Sequence, residues 1–103
     1  MVVKEFVEKA FNDMDFLLEV CKNVPDELLK GNHKPGEGKG TDFGRAVGNL
    51  LHGAAEAMGH VFDRESVEGE SKRLFDSLDG FGKVRFTSTF IKTLAKASKE
   101  KTQ

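Results

Sequence analysis

Apolar residues recur at spacings of three and four over residues 3–21, and this pattern is typical of an amphipathic helix. We expect the helix to end near Val24, because the residue before a proline is disfavoured in the α region. Pro25 suits the first turn of a helix, so a short second helix is predicted over Asp26–Lys30.

A second long apolar pattern predicts a helix from Asp42 to about Phe62, with Thr41 as its candidate N-cap. Glycines interrupt this helix repeatedly, and each costs up to about 1 kcal/mol relative to alanine. We therefore expect either a close approach of another backbone or a bent helix. The glycines concerned are Gly44, Gly48, Gly53 and Gly59.

A further helix is predicted from an N-cap at Ser66 to a stop at Asp79-Gly80. The segment that follows has two interpretations. Residues 83–90 alternate like a strand, whereas residues 86–99 repeat like a helix with Phe86, Phe90, Ile91, Leu94 and Ala95 on its apolar face. We favour the helix, because a lone strand would have no sheet to join.

These patterns predict an all-α protein in which residues 1–103 form one domain. The expected architecture is an irregular antiparallel bundle of four to five helices. A flexible Gly/Lys-rich loop is predicted at residues 31–41. A chain of 103 residues buries only about 65% of its unfolded surface on folding, so association with a partner or a second copy would add stability.

Charge is distributed unevenly, although the net charge is only −1. Residues 1–29 carry seven acids and three bases, whereas residues 83–101 carry six bases and one acid. No apolar stretch approaches the ~20 residues of a membrane span, and no signal peptide is apparent. Cys21 is the single cysteine and is predicted to be a core residue. We expect a cytoplasmic protein without contact to a membrane.

His52, Glu56 and His60 recur every four residues on the predicted third helix, so one strip of that helix could bind a transition metal. The same strip lies opposite the apolar face that contains Val47 and Leu50, and we therefore favour a solvent-exposed role. No metal and no cofactor is predicted, and these three residues are kept as weak candidates for a metal site.

Basic residues in two regions are candidates for contact with an anion or with nucleic acid. In the loop, Lys34 and Lys39 are among glycines, but the spacing does not match a Walker A motif. In the last helix, Arg85, Lys92, Lys96 and Lys99 form a basic face. This face is interpreted mainly as solvated, with nucleic acid or an acidic protein surface as alternatives.

A second apolar ridge on the first helix is the leading candidate for a partner-binding surface. Phe16, Val20 and Val24 project away from the main apolar face, and the small residues Gly44 and Gly48 would let another backbone approach closely. These residues either pack within the chain or bind a partner.

No catalytic motif is present in the sequence, and we expect a protein that is not an enzyme. The leading hypothesis is a small helical binding protein, such as an adaptor, inhibitor or subunit, which acts through an apolar helix surface and self-associates. The alternative is a nucleic-acid-binding protein that uses the C-terminal basic helix. Metal binding is the third hypothesis.

Overall fold

The computed structural model describes residues 1–30 and 42–101, and these residues form six α-helices without any strand. The prediction of an all-α fold is confirmed. The predicted loop at 31–41, which includes Lys34 and Lys39, lies outside the described residues. The helices are α1 (Val3–Asn12), α2 (Met14–Lys22), α3 (Asp26–Lys30), α4 (Phe43–Ala57), α5 (Arg64–Asp76) and α6 (Gly80–Lys101).

The single long helix predicted over residues 3–21 is divided in two at Asp13. The Asp13 backbone is extended, with φ −120° and ψ 110°. Its side chain accepts a hydrogen bond from the Phe16 backbone N–H at 3.1 Å and so caps α2. Its own N–H donates to the Lys9 carbonyl oxygen at 2.8 Å, which completes α1. One residue therefore ends one helix and begins the next.

This break changes which residues of α2 face the core. Leu17, Val20 and Cys21 are buried together with Val24, whereas Met14, which continues the apolar face of α1 in the sequence, is 60% exposed. The core face of α2 thus follows its own spacing of three and four.

Helix α4 begins one residue later than predicted and ends five residues earlier. Asp42 is its N-cap and accepts the Arg45 backbone N–H at 3.1 Å; Thr41, the predicted N-cap, lies outside the described residues. After Ala57 the chain turns at Gly59, whose φ is +94°. The His60 N–H then donates to the Ala55 carbonyl oxygen at 2.9 Å, in the pattern of a Schellman motif.

Helices α5 and α6 also begin at aspartates. Asp63 caps α5 and accepts hydrogen bonds from both the backbone N–H and the hydroxyl of Ser66, each at 3.0 Å. Asp79 accepts the Gly82 N–H at 2.7 Å at the start of α6. Residues 83–90 are helical, so the strand alternative is wrong and the predicted helix is confirmed and extended.

The most extensive helix contact joins α4 to α5, and glycines permit it. A Cβ atom at Gly48 would lie 2.5 Å from the Glu68 Cα, and one at Gly44 would lie 2.8 Å from the Lys72 Cα. Both distances are far below van der Waals contact. For Gly44 and Gly48, close backbone approach is therefore the explanation that the structure supports, whereas Gly53 faces the side chains of Leu28 and Pro25.

Eight of the nine phenylalanines lie in two aromatic clusters. In the first cluster, Phe6 contacts Phe16 and Phe62 with ring centroids 5.3 and 5.5 Å apart. The second cluster joins α1, α4, α5 and α6 through Phe11, Phe43, Phe75, Phe86 and Phe90. Edge-to-face and stacked pairs of this kind add to the stabilisation from burial.

Candidate functional site

The apolar ridge predicted on the first helix is covered by the protein itself. Val20 and Val24 are 0% and 1% exposed. Phe16 is half-buried, with its ring against Phe6 and the ammonium group of Lys9 4.9 Å from its centroid. These residues therefore lie largely in the interior, which favours the intramolecular alternative.

Gly44 and Gly48 are also buried, against the backbone of α5. Their small size is used between two helices of the same chain. None of the five residues predicted to bind a partner thus forms an open surface, and a candidate site must be sought elsewhere.

The strip predicted from His52, Glu56 and His60 does not form, because α4 ends at Ala57. His52 points to the following turn, where its Nε2–H donates to the Phe62 carbonyl oxygen at 3.1 Å. Its side chain is only 14% exposed, so the prediction of a solvent-facing His52 was wrong. His60 stacks on the Phe62 ring. Within residues 1–30 and 42–101, no three side chains of metal-ligating type are grouped.

An apolar strip on α6 is exposed instead. Phe81, the phenylalanine outside both aromatic clusters, is 77% exposed, Val84 is 71% exposed and Ile91 is 51% exposed. The exposed Ala95 continues the same spacing of three and four, and the small polar residue Ser88 lies between Val84 and Ile91. We call these five residues the α6 apolar strip.

A row of basic residues runs beside the α6 apolar strip. Arg85, Lys92, Lys96 and Lys99 are all exposed, and the sequence between Asp79 and Glu100 contains no acid. Within the described part of the chain, neither Arg85 nor Lys92 forms an ion pair. We call these four residues the α6 basic row. The structure brings the predicted basic residues of the last helix together on one surface.

Ile91 and Ala95 were predicted on the core face of this helix, and that assignment was wrong. The buried residues of α6 are Phe86, Phe90, Thr93 and Ala97. Because α6 carries apolar residues on two faces, a single helical period cannot show which face is covered. A comparison of both faces would have shown that Phe81 and Val84 lie outside the face that contains Phe86 and Phe90.

The end of α6 is attached to α2 by an ion pair. The ammonium group of Lys22 lies 2.9 Å from a carboxylate oxygen of Glu100. This hydrogen bond lowers the pKa of the Glu100 carboxyl group and raises the pKa of Lys22. Glu100 is thus engaged with α2, and the solvent-facing side of α6 remains basic.

Fold and surface together define a small all-α protein whose last helix presents an apolar and basic face that the other described helices do not cover. None of the helices described is long and apolar enough to cross a membrane. In comparisons with protein-family models, with curated proteins and with solved structures, the chain matched none.

Proposed function

We propose that this chain is a non-enzymatic binding protein that holds an acidic amphipathic helix of a partner protein on α6. The observation that carries the proposal is the exposure of Phe81 at 77% in a protein that places its other eight phenylalanines in aromatic clusters. Exposed aromatic residues that lie within a larger apolar strip are typical of interaction surfaces.

The dimensions of the α6 apolar strip suit a helical occupant. From Phe81 to Ala95 the strip extends about 21 Å at the helical rise per residue. Its alternating spacing of three and four is the spacing by which one helix packs against another at a small crossing angle. A partner helix of about four turns would cover the strip along its whole length.

The positive charge of the α6 basic row favours a partner helix that carries acidic residues. A helix lying on the strip would place its own flanking positions beside Arg85, Lys92 and Lys99, as the e and g positions do in coiled coils. Carboxylates at those positions would be attracted, and lysines would be repelled. The favoured partner therefore has glutamates or aspartates beside its apolar face.

A second copy of the chain suits this surface less well. If two α6 helices packed antiparallel, their basic rows would lie side by side, and like charges in contact oppose association. Parallel packing would still offer no carboxylate to Arg85 or Lys92. For this reason we propose a different protein as the occupant, and self-association becomes an outcome of the test.

Nucleic acid is the second candidate for the same surface. Its support is the α6 basic row, whose four cations are exposed along one side of the helix. Four cations are few for a phosphate-binding surface, and the net charge of the whole chain is −1. Nucleic-acid binding would also leave Phe81, Val84 and Ile91 uncovered.

The test uses a fluorescently labelled synthetic peptide of 21 residues that has leucines at spacings of three and four and glutamates beside them. We expect its anisotropy to rise on titration with the protein. The double variant Phe81→Ser/Ile91→Ser should weaken binding at least tenfold, or about 1.4 kcal/mol. The matched control is Val61→Ser, because Val61 is 99% exposed and lies outside α6.

A version of the peptide with lysines in place of the glutamates should not bind. If both peptides bind equally, or if Val61→Ser weakens binding as much as the double variant, the proposal is wrong. An oligonucleotide that binds while the acidic peptide does not would replace it with the nucleic-acid function. A dimer in sedimentation velocity that is abolished by the double variant would replace it with self-association.

A further inference from the structure

A second surface feature, separate from the α6 apolar strip, is a cleft of about 520 Å³ where α1, α2, α5 and α6 meet. Its volume lies within the range of about 300–1,000 Å³ that is usual for small-molecule sites. The cleft is lined by Phe11, Asn12, Met14, Leu74, Ser77, Leu78, Gly82, Arg85, Phe86 and Thr89.

The interior of the cleft is largely apolar. Phe11 and Phe86 are stacked with ring centroids 4.2 Å apart and planes within 6°. Leu74 and Leu78 contribute further apolar surface, and Met14 is 60% exposed at the edge. Apolar surface around a concave site favours a ligand with an apolar body.

Two polar side chains of the cleft, Arg85 and Thr89, lie one helical turn apart on α6. The Ser77 hydroxyl and the Asn12 amide nitrogen already donate to backbone carbonyl oxygens, at 2.6 and 2.8 Å. By contrast, the Arg85 guanidinium group forms no ion pair with any described residue. The Thr89 hydroxyl, one helical turn further along, makes no hydrogen bond with the described residues either.

We propose that this cleft binds an apolar monocarboxylate, with the carboxylate on Arg85 and Thr89 and the apolar body over Phe11, Phe86 and Leu78. The guanidinium group can bind a carboxylate through two parallel hydrogen bonds. The combination of one cation, one hydroxyl and an apolar wall selects an anion with an aliphatic or aromatic body over a neutral or cationic molecule. This site goes beyond the proposed docking function of α6.

The three methionines provide an internal control for the test. Met14 lines the cleft, whereas Met1 and Met58 do not. With the methionine methyl groups labelled with ¹³C, sodium decanoate should shift the Met14 signal in a saturable way and leave the Met1 and Met58 signals in place. Decyltrimethylammonium, which has the same alkyl chain and the opposite charge, should leave all three in place.

Substitutions should distinguish specific binding in the cleft from nonspecific binding to apolar surface. We expect Arg85→Gln to weaken decanoate binding at least tenfold and Thr89→Val to weaken it severalfold. The charge-matched control Lys4→Gln, on an exposed part of α1, should bind as the original protein does. Equal shifts with the cationic compound, or unchanged binding by Arg85→Gln, would overturn the proposal.

Arg85 belongs both to the cleft and to the α6 basic row, so the two functions are separated by a variant at Phe81 and Ile91, which do not line the cleft. Phe81→Ser/Ile91→Ser should lose the acidic peptide and still bind decanoate. Loss of decanoate binding in that double variant, with its helix content intact, would show that the α6 apolar strip and not the cleft holds the compound, and would also overturn the proposal.

Discussion

Ser71 is a buried residue whose side chain is not satisfied. It is 0% exposed on α5, and its hydroxyl has no hydrogen-bond partner within the described residues. A buried hydroxyl that has lost its water and gained no partner destabilises the folded state. The serine also has a lower helix propensity than alanine.

The Ser71→Ala substitution should therefore raise the free energy of unfolding by about 1–2 kcal/mol. Urea denaturation followed by circular dichroism is the suitable measurement, because the chain has no Trp and no Tyr for fluorescence. As a comparison, Thr93→Val removes a buried hydroxyl that donates to the Thr89 carbonyl oxygen at 2.7 Å and should give no gain. A Ser71→Ala protein that is less stable than the original would contradict this account.

Several residue positions could be predicted from the sequence, and others could not. Val47 and Leu50 were placed correctly in the core, because they lie near the middle of one uninterrupted helix. His52 was misplaced, because its partner, the Phe62 carbonyl oxygen, is brought to it by a turn ten residues away. Helical periodicity describes the helix alone and contains no information on the turn that packs against it.

At the scale of the element, a glycine of α4 and a glycine of α5 differ in whether a neighbouring helix lies against them. A Cβ at Gly48 would meet the backbone of Glu68, which cannot move without shifting α5. A Cβ at Gly69, in the interior of α5, would have nothing within 4 Å. The same substitution at these two positions should therefore have opposite effects.

We expect Gly48→Ala to lower the free energy of unfolding by about 1–3 kcal/mol through overpacking. Gly69→Ala should raise it by up to about 1 kcal/mol, since alanine is the better helix former. Both values are measurable by urea denaturation under the same conditions. Stabilisation by Gly48→Ala would mean that α4 and α5 are not in the close contact described here.

The number of helices was underestimated, because a capping residue was hidden in a continuous apolar pattern. Asp13 is a typical N-cap residue, and Asp15 is the acid expected in a first turn. The apolar residues nevertheless keep their spacing of three and four on both sides of Asp13 and Asp15. In this segment the capping residue predicts two helices and the apolar periodicity predicts one, and the structure follows the capping residue. The second helix has its own core face, which includes Val20.

At the scale of the whole molecule, the core is closed around Cys21. Its side chain is 2% exposed, and burial raises the pKa of the thiol from the usual 9.0 to about 12. Because the unfolded chain ionises at the lower pKa, this group's contribution to stability is complete below about pH 9. The contribution falls as the pH rises from there toward 12.

Thiol labelling should therefore report opening of the core. At pH 8, a disulfide reagent such as dithiobis(nitrobenzoic acid) should label Cys21 at least about 100-fold more slowly in buffer than in denaturing urea. Gly48→Ala should accelerate labelling of the folded protein, and Val61→Ser, which changes a surface residue, should not. Rapid labelling of the original protein in buffer would show that the core opens locally around α2.

The all-α fold and the four residues of the α6 basic row could be predicted from the sequence, whereas the cleft and the exposure of the α6 apolar strip could not. The cleft takes Phe11 from α1, Leu74 from α5 and Arg85 from α6, and no local pattern connects these three positions. The α6 apolar strip is local, but its exposure depends on which side of α6 the other helices cover. Both sites are properties of the packing arrangement.

The order of the helices in the chain has a consequence for synthesis. Among the described helices, α2 packs mainly on α6, and the Lys22–Glu100 ion pair joins the same two elements. A ribosome that adds roughly 5–20 residues per second needs roughly 4–15 s to proceed from Lys22 to Ala97. Throughout that interval, Leu17, Val20 and Cys21 of the nascent chain are not covered by α6, so the core around α2 cannot close before the last helix has been made.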